Sequence, residues 1–225
     1  RPKILTTEQN GVLALMLAFS AVIVQLASLG FQSASGRVFP YFRKTEKNHH
    51  GFLFLSSAVS VVGFAICFLA VLFFGDLIWG DDPDFRLIFN TYGPILWGLS
   101  FFLLFFGVLD NYNRAVYDTV TGTALREFYQ KFFVALSYGL LLLVSLRFEQ
   151  FIYVWLIANI LPTIIIALKL AKENKLNFTP DLKFPNIPLV AGMVSISSFA
   201  VISGFTTMII QYIDKIMISK LMGLS

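Results

Sequence analysis

FLFLSSAVSVVGFAICFLAVLFF, residues 52–74, is a run of 23 residues without one charged side chain. A helix rises about 1.5 Å per residue, so roughly 20 such residues cross the hydrocarbon of a bilayer. Five further apolar runs surround it: Val12–Leu29, Tyr92–Leu109, Phe132–Leu146, Phe151–Leu168 and Leu189–Ile210. The shortest, Phe132–Leu146, reaches crossing length once Tyr129–Lys131 are counted as its interfacial turn. The expected fold is all-α, a polytopic bundle of transmembrane helices, and no strand pattern competes with it.

Composition agrees. The chain is 57% hydrophobic and 13% charged over 225 residues, against about 25% charged in soluble domains. A soluble helical bundle this apolar would expose wide greasy patches and aggregate. A net charge of +4 would suggest nucleic acid in a soluble protein. Here the bases flank membrane spans, so membrane lipids with anionic headgroups are the expected partners, and nucleic acid is not. Cys67 is the single cysteine and lies within the second run. It can form no internal disulfide and reads as a small core residue. No basic segment precedes a short apolar core, so no signal peptide is visible. Both ends of the chain read as cut, as in a piece of a longer protein.

Charge between the runs sets an expected orientation. Eleven of the 17 basic residues fall in three alternate connections, 32–51, 110–131 and 169–188. The connection between the second and third runs is acidic, with Asp76, Asp81, Asp82 and Asp84. Basic loops stay in the cytoplasm, so those three connections are expected to be cytoplasmic. Trp79, Tyr92, Tyr153 and Trp155 then fall at outer edges, and Tyr41, Tyr112, Tyr117 and Tyr129 at inner edges, where amphipathic rings favour the headgroup layers. Thr6-Thr7-Glu8-Gln9 has the spacing of a capping box for the first span. Pro162 should kink the fifth. Gly63, Gly98, Gly107, Gly139 and Gly204 would let helices pack closely.

Little in the chain points to catalysis. Neither a G-x-x-x-x-G-K phosphate loop nor a G-x-S-x-G elbow occurs, and the expectation is a protein that is not an enzyme. The adjacent His49 and His50 would point in different directions from a helix, whereas a zinc pair prefers one face; they read as interfacial, and no metal site is expected. Asp82-Pro83-Asp84 resembles a metal-holding D-x-D but reads as an acidic turn on the outer side. Asn177-Phe178-Thr179 matches a glycosylation sequon by chance, in a connection expected to be cytoplasmic.

Charges in or beside the spans are the better lead, because burying one in lipid costs several kcal/mol unless it faces a wet cavity or a partner. Arg37 follows the first span by a few small residues and would sit at a cavity mouth if that helix continued; otherwise it anchors the cytoplasmic edge. Asp110, Arg114 and Asp118, at i, i+4 and i+8, read as a solvated ladder, and Arg126-Glu127 as an interfacial start to the fourth span. Asp214-Lys215, with Gln211 one turn earlier, interrupts an apolar pattern that resumes at Ile216-Met217-Ile218. Such a pair either faces an interior water-filled space or marks a span that has already ended near Ile210.

Leu29-Gly30-Phe31 and Gly36-Arg37-Val38-Phe39-Pro40-Tyr41-Phe42 resemble the LGF…RFFPYF signature of bacterial polysaccharide flippases. Leu5-Thr6-Thr7-Glu8-Gln9-Asn10-Gly11 and Ile213-Asp214-Lys215-Ile216-Met217-Ile218 are similar to other segments of those proteins. They are Wzx-like members, O-antigen flippases among them, of the multidrug/oligosaccharidyl-lipid/polysaccharide exporter superfamily. That resemblance implies a MATE-like fold of two six-helix lobes around a central cavity. Residues 1–168 would be helices 2–6 of the N-terminal lobe, without its first helix. Residues 169–188 would be the cytoplasmic inter-lobe loop, and 189–225 the first helix of the C-terminal lobe.

The implied function is flipping of undecaprenyl-diphosphate-linked oligosaccharide across the bacterial inner membrane, for lipopolysaccharide and related polysaccharide biosynthesis, by alternating access. Arg37 and Lys215 would contact the diphosphate, and Asp214 and Gln211 would serve ion coupling or structure. No cofactor is expected beyond H+ or Na+ coupling, and the glycan polymerase machinery is an implied partner. A multidrug cation antiporter of the same superfamily, which the basic charge near the spans disfavours, remains the alternative, as does a membrane-embedded glycan polymerase or glycosyltransferase.

Overall fold

The computed structural model describes residues 5–44, 49–79, 83–144, 147–181 and 184–222, with the side chains at 7–8, 76–88, 205 and 207–222 outside the description. Every regular element in it is helical: α1 Thr7–Ala27, α2 Phe31–Phe42, α3 Phe52–Trp79, α4 Pro83–Ala115, α5 Val120–Ala124, a π turn Leu125–Tyr129, α6 Gln130–Val144, α7 Phe148–Lys172 and α8 Ile187–Met222. Among the described residues six helical stretches are long and apolar enough to cross a membrane, and they match the six runs read from the sequence. The chain is a multi-pass membrane protein.

Helix α1 starts with the expected capping box. The Gln9 amide N–H donates to Thr6 Oγ1 at 3.2 Å, and the Thr6 N–H donates to Gln9 Oε1 at 3.0 Å. Its end coincides with the end of the first apolar run at Leu29. Ser28 turns its hydroxyl back to the Gln25 carbonyl at 2.8 Å, and Leu29 and Gly30 take φ of 47° and 71°. The chain leaves the helix there and restarts as α2, which buries Phe31, Ala34, Ser35, Val38, Phe39 and Phe42 along one stripe. Close contact explains the corner. A Cβ on Gly63 of α3 would stand 2.0 Å from the Ala27 carbonyl oxygen, so α3 crosses the end of α1 with no room for a side chain.

Two aromatic-rich cores fill opposite ends of the bundle. Phe31, Phe39, Phe42, Phe52, Tyr112 and Met193 join α2, α3, α4 and α8 at one end. Leu13, Met16, Leu96, Leu99, Phe151 and Trp155 join α1, α4 and α7 at the other. Trp155 and Tyr112, assigned from sequence to headgroup layers, are buried in these cores; each ring completes packing against neighbouring helices instead. Helix α7 passes through Pro162 without ending.

The segments 32–51 and 110–131 are largely helical, not loops. Residues 31–42 form α2; α4 continues to Ala115 and helix resumes at Val120. Hydropathy falls in both stretches because their helices carry polar side chains, most of them exposed, such as Arg37, Arg114 and Arg126.

Candidate functional site

A cavity of about 890 Å³ opens between α1, α2, α4, the π turn, the start of α6, α7 and α8. Its polar lining is Gln25, Gln32, Ser33, Arg37, Arg126, Gln130, Asn159 and Ser203, set among apolar residues such as Leu17, Leu103 and Phe199. On α2, Ser33 and Arg37 stand one turn apart and face away from the buried stripe, so one short amphipathic helix both seals a core and presents a guanidinium. Arg126 and Gln130 have the same i, i+4 spacing on the helix that includes the π turn. Residues so spaced share a face, and both line the cavity.

The amides are held by donors and acceptors from neighbouring helices. Gln32 Nε2 donates to the Leu104 carbonyl at 3.0 Å, and Asn111 Nδ2 donates to the Gln32 carbonyl at 3.2 Å. Gly107 makes this approach feasible, since a Cβ there would meet Gln32 Oε1 at 2.4 Å. Across the cavity, Gln130 Nε2 donates to Asn159 Oδ1 at 2.9 Å, and Asn159 Nδ2 to the Trp155 carbonyl at 2.8 Å. Gln25 lies against Gly204 of α8, where a Cβ would come within 1.8 Å of its Nε2. Fixed amides in a half-open space suit a hydroxyl-rich ligand, because each can both donate and accept.

The turn that carries Arg126 is clamped from below. Arg114 Nε donates to Asp110 Oδ2 at 3.0 Å, and Asp110 abuts Gly122, where a Cβ would fall 1.6 Å from Oδ1. Asp118 accepts from the Thr121 N–H at 3.0 Å and from its hydroxyl at 2.6 Å, and pairs with Lys169 of α7. The expected solvated ladder of Asp110, Arg114 and Asp118 is therefore half right. Asp110 and Arg114 pair, but Asp110 is buried at 6% exposure and Asp118 belongs to Lys169.

The Lys169 ammonium and the Thr121 hydroxyl hold the Asp118 carboxyl well below the usual carboxylate range. A depressed pKa stabilises the fold above the unfolded value, about 3.9 for Asp, and that contribution fades as pH falls below it. Asp118→Asn should accordingly cost about 1 kcal/mol at neutral pH. The gap between the thermal midpoints of variant and parent should shrink on acidification below about pH 4. A pH-independent gap would assign the loss to packing.

Of the residues proposed from the sequence, Arg37 lies in the cavity wall. Gln211, Asp214 and Lys215 fall on α8, which continues past Ile210 to Met222, but their side chains lie outside the described residues. Asp82 is also outside them. Arg126, read as an interfacial residue, lines the cavity because α5 and the π turn carry the chain inward before α6 begins. The one available signal was its i, i+4 partnership with Gln130.

His49 and His50 do point apart, yet neither is simply interfacial. His50 is 5% exposed, stacks on Phe184 at 3.6 Å and bonds Asp181 through Nδ1 at 2.8 Å. His49 packs on Phe39 and Tyr112. Asn177 accepts the Thr179 N–H at 2.8 Å, which gives that triplet a local turn-forming role. Among the described residues no three His, Cys, Asp or Glu side chains gather as a metal site would require.

Comparison with protein-family models, with curated proteins and with solved structures finds no match to this chain. The functional reading rests on the cavity.

Proposed function

We propose that this chain belongs to a transporter that flips a lipid-diphosphate-linked oligosaccharide across a bacterial inner membrane, in a MATE-like two-lobed fold. The observation that carries the reading is the cavity: two arginines, four side-chain amides and two serine hydroxyls line one half-open space between helices. Arg37 and Arg126 stand exposed at its wall, where an anion entering the cavity can reach them. A diphosphate needs cations, which guanidinium supplies as a bidentate donor; a glycan needs neutral donors and acceptors, which Gln25, Gln32, Gln130 and Asn159 supply.

In this reading α8 is the first helix of the second lobe, and its packing against α1 and α2 is a contact that alternating access must loosen. The basic connections face the cytoplasm, and glycan polymerase machinery would receive the flipped product. In the same reading Lys215 is a further diphosphate contact, and Asp214 is the residue for H+ or Na+ coupling. The competing reading, a cation antiporter of the same superfamily, would want acidic lining, and the described lining residues include no Asp or Glu.

The deciding experiment is reconstitution of the full-length protein in proteoliposomes with a fluorescent undecaprenyl-diphosphate oligosaccharide, followed by the fraction accessible to an external glycosidase. Wild-type protein that leaves the substrate's sidedness as in empty vesicles removes the reading.

A further inference from the structure

On the opposite side of the α4–α7 pair from the cavity runs a second concavity, of about 400 Å³ and wholly apolar. Its shape follows from residue size. Phe101, Phe105 and Leu109 repeat at i, i+4 and i+8 on α4, while α7 places the small Ala167 and Ala171 at i and i+4 opposite them. Large side chains on one helix facing alanines on the other leave a channel between ridges. Thr163 pins the two walls at the far end by donating to the Phe102 carbonyl at 3.0 Å. At the near end the chain turns back after α7, with Asn174 at φ 53°, and lays Leu176 and Phe178 along the groove. The result is an open groove between two helix walls. It faces outward, since Ile164 and Leu168 on its rim are exposed.

Charge stands at the mouth. Lys172 is exposed and continues the file Ile164, Leu168, Lys172 at four-residue spacing along α7. Lys169 is paired with Asp118 and Glu173, and Lys175 with Glu173. Lys172 has no ion partner among the described residues. Three lysines against Asp118 and Glu173 leave this corner net positive. An apolar slot whose open end carries an unpaired cation complements one kind of molecule: a chain of hydrocarbon under an anionic head.

We propose that the α4–α7 groove holds one acyl chain of an anionic bilayer phospholipid, with Lys172 contacting its headgroup phosphate. Binding of this lipid locks α4 to α7 and so braces, from behind, the two helices that present Gly107 and Asn159 to the cavity. The site is separate from the transport path and does not depend on what the cavity carries.

The test uses the full-length protein in neutral detergent, with phosphatidylglycerol and phosphatidylcholine as competing probes. Retained lipid is read by native mass spectrometry, and the thermal midpoint is followed on adding either lipid. Wild-type protein should retain and be stabilised by phosphatidylglycerol in preference to phosphatidylcholine. Lys172→Ala should reduce that preference about fivefold, the worth of one basic residue at an anionic lipid surface, while still retaining lipid. Ala167→Phe, which fills the slot, should abolish retention of either lipid. Val62→Phe, on an exposed apolar face of α3 outside the groove, should change neither.

Three results would overturn the proposal: no preference for phosphatidylglycerol in the wild type, an unchanged preference in Lys172→Ala, or displacement of the phospholipid by an isoprenyl phosphate. Because Lys172 is a surface residue, its variant decides the matter even if Ala167→Phe folds poorly.

Discussion

Gly30→Ala is expected to lower stability by about 3 kcal/mol. Two independent costs meet at the position. Its φ of 71° lies in the left-handed region, where an L-residue is strained by roughly 1–2 kcal/mol. A Cβ there would also stand 2.2 Å from the Ser197 carbonyl oxygen and 2.9 Å from the Val201 nitrogen. Both are backbone atoms of α8, so no rotamer change relieves the overlap, and overpacking of this kind costs roughly 1–3 kcal/mol. Because the clash falls on α8, the first consequence should be loss of its seating on α2. Limited proteolysis between α7 and α8 should accelerate along with a lowered thermal midpoint in detergent. Gly36→Ala is the control: it lies on the same short helix with nothing within 4 Å of its Cβ, and should be neutral or slightly stabilising. Equal midpoints for the two variants would show that the α1–α2 corner does not seat α8.

The corner also shows where the sequence is legible and where it is not. Six spans follow from run length, because the bilayer tolerates only long apolar helices and hydropathy averages survive any detail of packing. The first apolar run does end at Leu29, but run length does not account for the tight corner that turns the chain straight into α2. It is caused by α3 crossing at Gly63, 33 positions further on, and by α8 arriving at Ser197. Tertiary contact of that kind leaves only a glycine as its trace. The stripe Phe31, Ala34, Val38, Phe42 was present in the sequence and has helical spacing, but a positive-inside count treats the same stretch as loop.

The site divides in the same way. Arg37 could be singled out because few residues near a span are charged, and a charge there asks for a reason. Arg126 has the same chemistry, yet its neighbours Glu127 and Lys131 form an ordinary exposed i, i+4 pair at 2.7 Å that hides it in an interfacial pattern. What turns it toward the cavity is the clamp of Asp110 on Gly122 and of Lys169 on Asp118, the latter linking residues 51 positions apart. Periodicity sees one helix at a time. A cavity wall is a property of several, and only residues whose presence is costly on any face announce themselves beforehand.

If the cavity takes a diphosphate, Arg37→Ala and Arg126→Ala should each slow transport about 10- to 100-fold. A hydrogen bond to a charged group is worth roughly 1.5–3 kcal/mol net, and about 1.4 kcal/mol is tenfold. Lysine at either position restores charge but not the planar fork, so Arg37→Lys should recover only part of the rate. The double alanine variant separates two geometries. If both guanidiniums grip the same diphosphate, the second removal should cost less than the first, because the anion has already been released. If they act at successive positions along the path, the losses should multiply. Gln130→Ala, which also frees Asn159 from its amide partner, should cost a glycan-bearing substrate several-fold and leave a bare polyprenyl diphosphate unaffected. The measurement is the initial flipping rate in proteoliposomes at matched protein content, with thermal midpoints showing that the variants are folded. Arg37→Ala and Arg126→Ala that are both folded and both run at the wild-type rate would remove the diphosphate from this cavity.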